Sequence, residues 1–134
     1  FSDSPLVNYL SNADNSLASR TSLDFTGFKK AWLTFDTKWD IEKDYDFGQI
    51  EYSFDEKNWV ALSGKFTKNG SGFGKQKKVQ PGYHETQNEF VKEEINLDFL
   101  IGNPKIFIRF HFMSDDVNSR DGWAVDNIRI EGIK

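Results

Sequence analysis

The sequence predicts an all-β fold, a β-sandwich of two antiparallel sheets. Three observations carry that expectation. Apolar and polar residues alternate with a period of two along several short runs, the signature of half-buried strands. Those runs are rich in aromatic and β-branched residues; 13 Phe and an aromatic content of 16% give a core to build and argue against disorder. Turn-forming residues separate the runs at short intervals. The spacing predicts about eight or nine strands with irregular links, which suits a sandwich better than a small barrel.

Taken in order, Ala31, Leu33 and Phe35 alternate with Trp32, Thr34 and Asp36. Ile50, Tyr52 and Phe54 alternate with Gln49, Glu51 and Ser53. Asp55-Glu56-Lys57-Asn58 reads as a hairpin turn into the short run Trp59-Val60-Ala61-Leu62. Asn69-Gly70-Ser71-Gly72-Phe73-Gly74 reads as a loop followed by Lys75, Lys77 and Lys78, and Pro81-Gly82 as a turn. Residues 85–100 fit helical spacing at Phe90, Ile95 and Leu97, and strand spacing at Val91, Glu93, Ile95 and Leu97. A strand over 90–95 is expected there, then a turn over 98–102. Gly102-Asn103-Pro104 launches the strongest alternation, Ile106, Ile108, Phe110 and Phe112. Residues 121–130 read as a terminal strand. The long excursions are 65–88 and 114–122, and long loops on a rigid scaffold are where binding concentrates.

The 134 residues are the size of one domain, so residues 1–134 are expected to form a single β-sandwich domain. No stretch approaches the ~18 apolar residues of a membrane span. With no Cys there is no disulfide and no thiolate metal site. A net charge of -4 gives no reason to expect nucleic acid. Phe1-Ser2-Asp3-Ser4-Pro5 has neither the basic nor the apolar region of a signal peptide, and there is no initiator Met. The chain therefore reads as a mature or excised piece of a larger protein.

Catalytic chemistry is not expected. The two His, His84 and His111, have no nucleophile at a recognisable spacing, and Gly70-Ser71-Gly72 lacks a nucleophile-elbow context. No His-Glu-x-x-His and no phosphate-binding loop occurs. Carboxylates offer more. Asp40, Glu42, Asp44 and Asp46 place four acids within seven residues. Glu42, Asp44 and Asp46 recur at spacing two, so an extended chain points them to one side. Such charges repel unless a cation lies between them, and Ca²⁺, taking about 6–8 oxygens, is the natural one. The plain alternative is a solvated acidic turn. Asp126 is in phase with Ala124, Ile128 and Ile130, so it is expected to face apolar neighbours. A carboxylate there needs a cation, a donor such as Arg109, or a proton. Asp115, Asp116 and Asp3 add charge nearby if the first and last strands meet. Trp32, Trp39, Trp59, Trp123, Tyr45 and Tyr83 could together offer a sugar a stacking platform, but a core role is the stronger reading for any one of them. Trp39 and Tyr83, flanked by polar loop residues, are the two most open to exposure.

The ordered motifs resemble a known family. They are Asp3-Ser4-Pro5, Asn8-Tyr9, Leu17-Ala18-Ser19, Trp39-Asp40-Ile41-Glu42, Tyr45-Asp46-Phe47-Gly48 and Ile50-Glu51-Tyr52-Ser53. Asn58-Trp59, Leu62-Ser63-Gly64-Lys65-Phe66-Thr67, Phe110-His111-Phe112, Ser114-Asp115 and Asp121-Gly122-Trp123-Ala124-Val125-Asp126-Asn127-Ile128 follow. The chain resembles the MAM-like accessory domain C-terminal to secreted bacterial peptidases: zinc carboxypeptidases, immune-inhibitor-A-type metallopeptidases and bacillopeptidase-F-like subtilases. The resemblance implies a jelly-roll sandwich without catalytic residues, on a secreted or cell-surface bacterial protein, partnered in cis by a peptidase domain. It also implies structural Ca²⁺, with Asp3 and Asp126 as terminal ligands and Glu42 and Asp46 following. The chain departs from the family pattern at the turn Asp55-Glu56-Lys57-Asn58 and at Ala124. A carbohydrate-binding module using Trp39 and Tyr83 is the alternative function, and a free-standing hydrolase ranks last.

Overall fold

Alternation along the chain becomes two facing sheets, because each strand has one apolar face to bury. The computed structural model describes residues 6–7, 14–18, 22–41, 46–72, 79–113 and 122–134. Its strands are β1 (Leu6–Val7), β2 (Asp14–Ala18), β3 (Lys30–Ile41), β4 (Phe47–Ser53) and β5 (Val60–Ala61). After them come β6 (Lys68–Asn69), β7 (Pro81–Gly82), β8 (Glu85–Asn96), β9 (Phe107–Met113) and β10 (Gly122–Ile133). One sheet has the order β1-β10-β3-β8, the other β2-β9-β4-β5, and β6 pairs with β7 in a small separate ladder. All pairings within the two large sheets are antiparallel. With the small ladder set aside, this interleaving of first, last and middle strands is the jelly roll. First and last strands do meet: Leu6 pairs with Ala124 and Val7 with Trp123.

The core lies between the sheets. Leu33, Phe35, Trp39 and Ile41 of β3, Ile95 of β8, and Trp123, Val125 and Ile128 of β10 face Ile50 of β4 and Ile108, Phe110 and Phe112 of β9. An aromatic chain runs through it, with ring centroids 5.2 Å apart for Phe35–Phe110, 5.8 Å for Phe110–Trp123, 5.3 Å for Trp123–Tyr83 and 5.0 Å for Tyr83–Trp39. The buried polar atoms among these rings are matched. Trp123 Nε1 donates to Thr37 Oγ1 at 2.9 Å, Thr37 Oγ1 donates to the Ala124 carbonyl at 2.9 Å, and Trp39 Nε1 donates to the His84 carbonyl at 3.1 Å.

Several expected boundaries move. β3 continues through Trp39-Asp40-Ile41, so the acidic segment starts on a strand instead of in a turn. β8 begins at Glu85 and runs 12 residues, which removes the helical alternative. The expected turn after it holds a short 3₁₀ turn, Asp98–Leu100. The excursion over 65–88 contains β6, β7 and the start of β8. The hairpin turn stands where expected. Asp55 Oδ1 accepts the Lys57 and Asn58 amides at 2.8 Å each, and its carboxyl is held far below the usual carboxylate range by those bonds.

Candidate functional site

Two buried carboxylates organise the polar interior. The first is Glu51 on β4, opposite Arg109 on β9. Ile50 and Phe110 point into the core, so Glu51, Arg109 and His111 share the other face of that sheet. Glu51 is nonetheless only 2% exposed. Its Oε1 accepts Arg109 Nε at 2.7 Å and lies 2.9 Å from His111 Nδ1. The Arg109 guanidinium lies 4.1 Å from the Trp59 ring centroid, so it covers that indole. Burial alone pushes the Glu51 carboxyl up, but the hydrogen bonds and charges of His111 and Arg109 outweigh it and hold the pKa below 4.5. Arg109 thus belongs to Glu51 and is not the donor for Asp126 that the sequence offered as one candidate.

The second is Glu93 on β8, fully buried. Its carboxylate accepts the amides of Lys65 at 2.7 Å, Phe66 at 3.0 Å and Glu94 at 2.8 Å, and the Tyr83 hydroxyl at 2.7 Å. It therefore ties a loop, an edge strand and the aromatic core together. Burial, then the Glu93 charge, pushes the Tyr83 hydroxyl well above 10.

Trp39 and Tyr83 are not exposed: they are 7% and 0% accessible. Trp39 turns inward because β3 continues past it. Tyr83, just past β7, is held inward by an isolated antiparallel bridge to Gly48 of β4, the Gly48 amide donating to the Tyr83 carbonyl at 3.0 Å. Neither offers a face to a ligand: both take the core role, and the prospect that these two are exposed as a loop platform is corrected.

Of the expected metal ligands, Asp3 and Glu42 lie outside the described residues, as do Asp44, Asp115, Asp116 and Asp121. Asp46 is fully buried at the head of β4. Asp126 is half-buried on β10, opposite Asp36. The register shifts between Asp126 and Arg129, and Asn127 takes φ +52° there. This bulge puts Ile128 on the core side while Asp126 faces outward with Asp36, which corrects the expectation that Asp126 faces its apolar neighbours. Asn127 braces both acids: its amide donates to Asp126 Oδ1 at 2.7 Å and its Nδ2 to Asp36 Oδ2 at 2.8 Å. Among the described residues no group of three or more His, Asp or Glu is arranged to hold a metal ion.

Glu51 and Glu93 were not singled out by the sequence. Glu93 carried a usable signal, an acid in phase with Val91, Ile95 and Leu97. Glu51 carried none, since it alternates with apolar residues as any exposed acid would.

A family model described as the immune inhibitor A-like MAM domain matches residues 6–132. No curated protein matches the chain.

Proposed function

The chain belongs to the immune inhibitor A-like MAM domain family, and from that premise we propose that it is a non-catalytic accessory module of an exported bacterial peptidase. Its work is to stabilise the parent enzyme or to bind substrate or a surface for it. The observation that carries this is the family match, which extends over residues 6–132. The polar clusters support it: Glu51 and Glu93 are each engaged by several donors, as structural carboxylates are. No helix among the described residues is long and apolar enough to cross a membrane. The parent in this reading is a metallopeptidase or a serine peptidase.

A structural Ca²⁺ is part of this proposal, with Asp3, Glu42, Asp46 and Asp126 as ligands. Carboxylate oxygens are the donors such an ion takes. Asp46 supports it best, as a buried carboxylate beside the acidic stretch 42–45. Asp126 supports it least, being half-exposed and already bonded by Asn127.

The isolated chain tests both parts. It is expected to show no turnover of casein or a peptide panel; hydrolysis that survives purification to homogeneity overturns the non-catalytic reading. EDTA is expected to lower its melting temperature by several degrees and added Ca²⁺ to restore it, because a ligand that binds only the folded state stabilises it by mass action. A melting curve unmoved by chelator removes the calcium and leaves the module.

A further inference from the structure

The four Trp divide sharply. Trp39 and Trp123 are core, and Trp59 is covered by Arg109. Trp32 differs: it is half-buried on the outer face of the sheet β1-β10-β3-β8 and lines a recess of about 430 Å³. That volume lies within the ~300–1,000 Å³ of small-ligand sites. Lys30 shares the β3 side, Ile133 of β10 closes one flank, and Glu94, Asn96 and Asp98 form the opposite wall. The register sets Trp32 between Asn96 and Glu131, so polar side chains flank the indole on both neighbouring strands.

The wall is pre-organised. Asp98 Oδ1 accepts the Ala31 amide at 2.9 Å, and the Asp98 amide donates to Asn96 Oδ1 at 2.8 Å. Asn96 Nδ2 reaches Asp98 Oδ2 at 3.4 Å. These bonds fix the end of β8 against the start of β3, so the recess costs little ordering on binding. Lys30 and Glu94 stay exposed at its rim, one a donor and the other an acceptor.

We propose that this recess is a saccharide-binding site, with Trp32 as its stacking platform and Lys30 and Glu94 as hydroxyl partners. An indole face is electron-rich and attracts the polarised C–H face of a pyranose ring, which no aliphatic side chain does equally well. Hydroxyls need both donors and acceptors at the ring edge, and the rim carries both. Three carboxylates, Glu94 and Asp98 of the wall and Glu131 beside the indole, stand against one ammonium, Lys30, so the site takes neutral sugars and disfavours uronic or sialic acids. The inference gives a ligand class to the binding role proposed above and rests on that reading of the domain. Its test needs no peptidase, so its failure is separable from failure of the accessory-module reading.

The test is calorimetric titration of the 134-residue chain with cellotriose, chitotriose and mannotriose, and with trigalacturonate as the acidic control. Saturable binding to at least one neutral trisaccharide is expected, weakened at least tenfold by Trp32→Ala and several-fold by Glu94→Gln. Trp32→Phe keeps an aromatic face and is expected to bind between wild type and Trp32→Ala, which controls for a folding defect. Trp59→Ala is expected to bind as wild type. No saturable binding to any neutral trisaccharide, equal affinity in wild type, Trp32→Ala and Trp32→Phe, or preference for trigalacturonate overturns the proposal.

Discussion

Glu51 is a carboxylate that folding makes more acidic. Its folded pKa lies below the 4.5 of an unperturbed Glu, so the stability it contributes is present above pH 4.5 and is lost as pH falls through the lower folded value. Glu51→Gln is expected to cost about 2 kcal/mol near neutral pH, less than the ~3–5 of a fully buried pair because the Arg109 side chain keeps 21% exposure. Urea denaturation from pH 3 to 8 checks it: wild type should lose more stability than the variant on the acid side, and parallel curves would contradict the assignment. Tyr83 acts at the other end of the scale. Its folded pKa lies above 10, so its contribution is intact below pH 10 and is lost as pH rises beyond it. Tyr83→Phe gives up a hydrogen bond to a buried charged group, worth about 1.5–3 kcal/mol, and should flatten the alkaline limb. These two residues also differ in how visible they were. Glu93, the partner of Tyr83, broke an apolar alternation that could be read from sequence. Glu51 and Arg109 are 58 residues apart on strands paired only in the fold, so nothing local marked them.

At the scale of elements, the loop before β6 is held to β8 by one carboxylate. Gly64 sits against it: a Cβ added there would lie 2.6 Å from Glu93 Oε2. With four donors fixing that carboxylate, neither group can yield cheaply. Gly64→Ala is expected to destabilise by about 1–3 kcal/mol and to speed hydrogen exchange at the Lys65 and Phe66 amides. Unchanged exchange at both would mean that the loop is held by something else. The bulge of β10 is a second such device, and it explains a misreading. A strict period of two carries Asp126 to the side of Ile128, but one inserted residue at Asn127 resets the phase. Strand interiors were legible because apolar residues mark them. The ends of β3 and β8 were not, since Trp39-Asp40-Ile41 and Glu85-Thr86-Gln87 carry charge and polarity on the outward side and read as loop.

For the whole molecule, periodicity yields the class and the two layers, whereas the strand order follows from which distant edges pair. Jelly-roll topology entered only through resemblance to a family, and the pairing of β1 with β10 and of β10 with β3 carries it in the structure. The same holds for function: the family frames it, and the buried clusters of Glu51 and Glu93 read as supports of the sandwich. The most direct measurement is on the parent peptidase, with and without residues 1–134, assayed on a short chromogenic peptide and by thermal inactivation. An accessory module predicts kcat/KM on the short peptide within about threefold, a change of under ~1 kcal/mol in transition-state stabilisation, together with faster thermal inactivation or lost retention on substrate or surface. Abolished turnover of the short peptide on deletion, or turnover by the isolated chain itself, would contradict it.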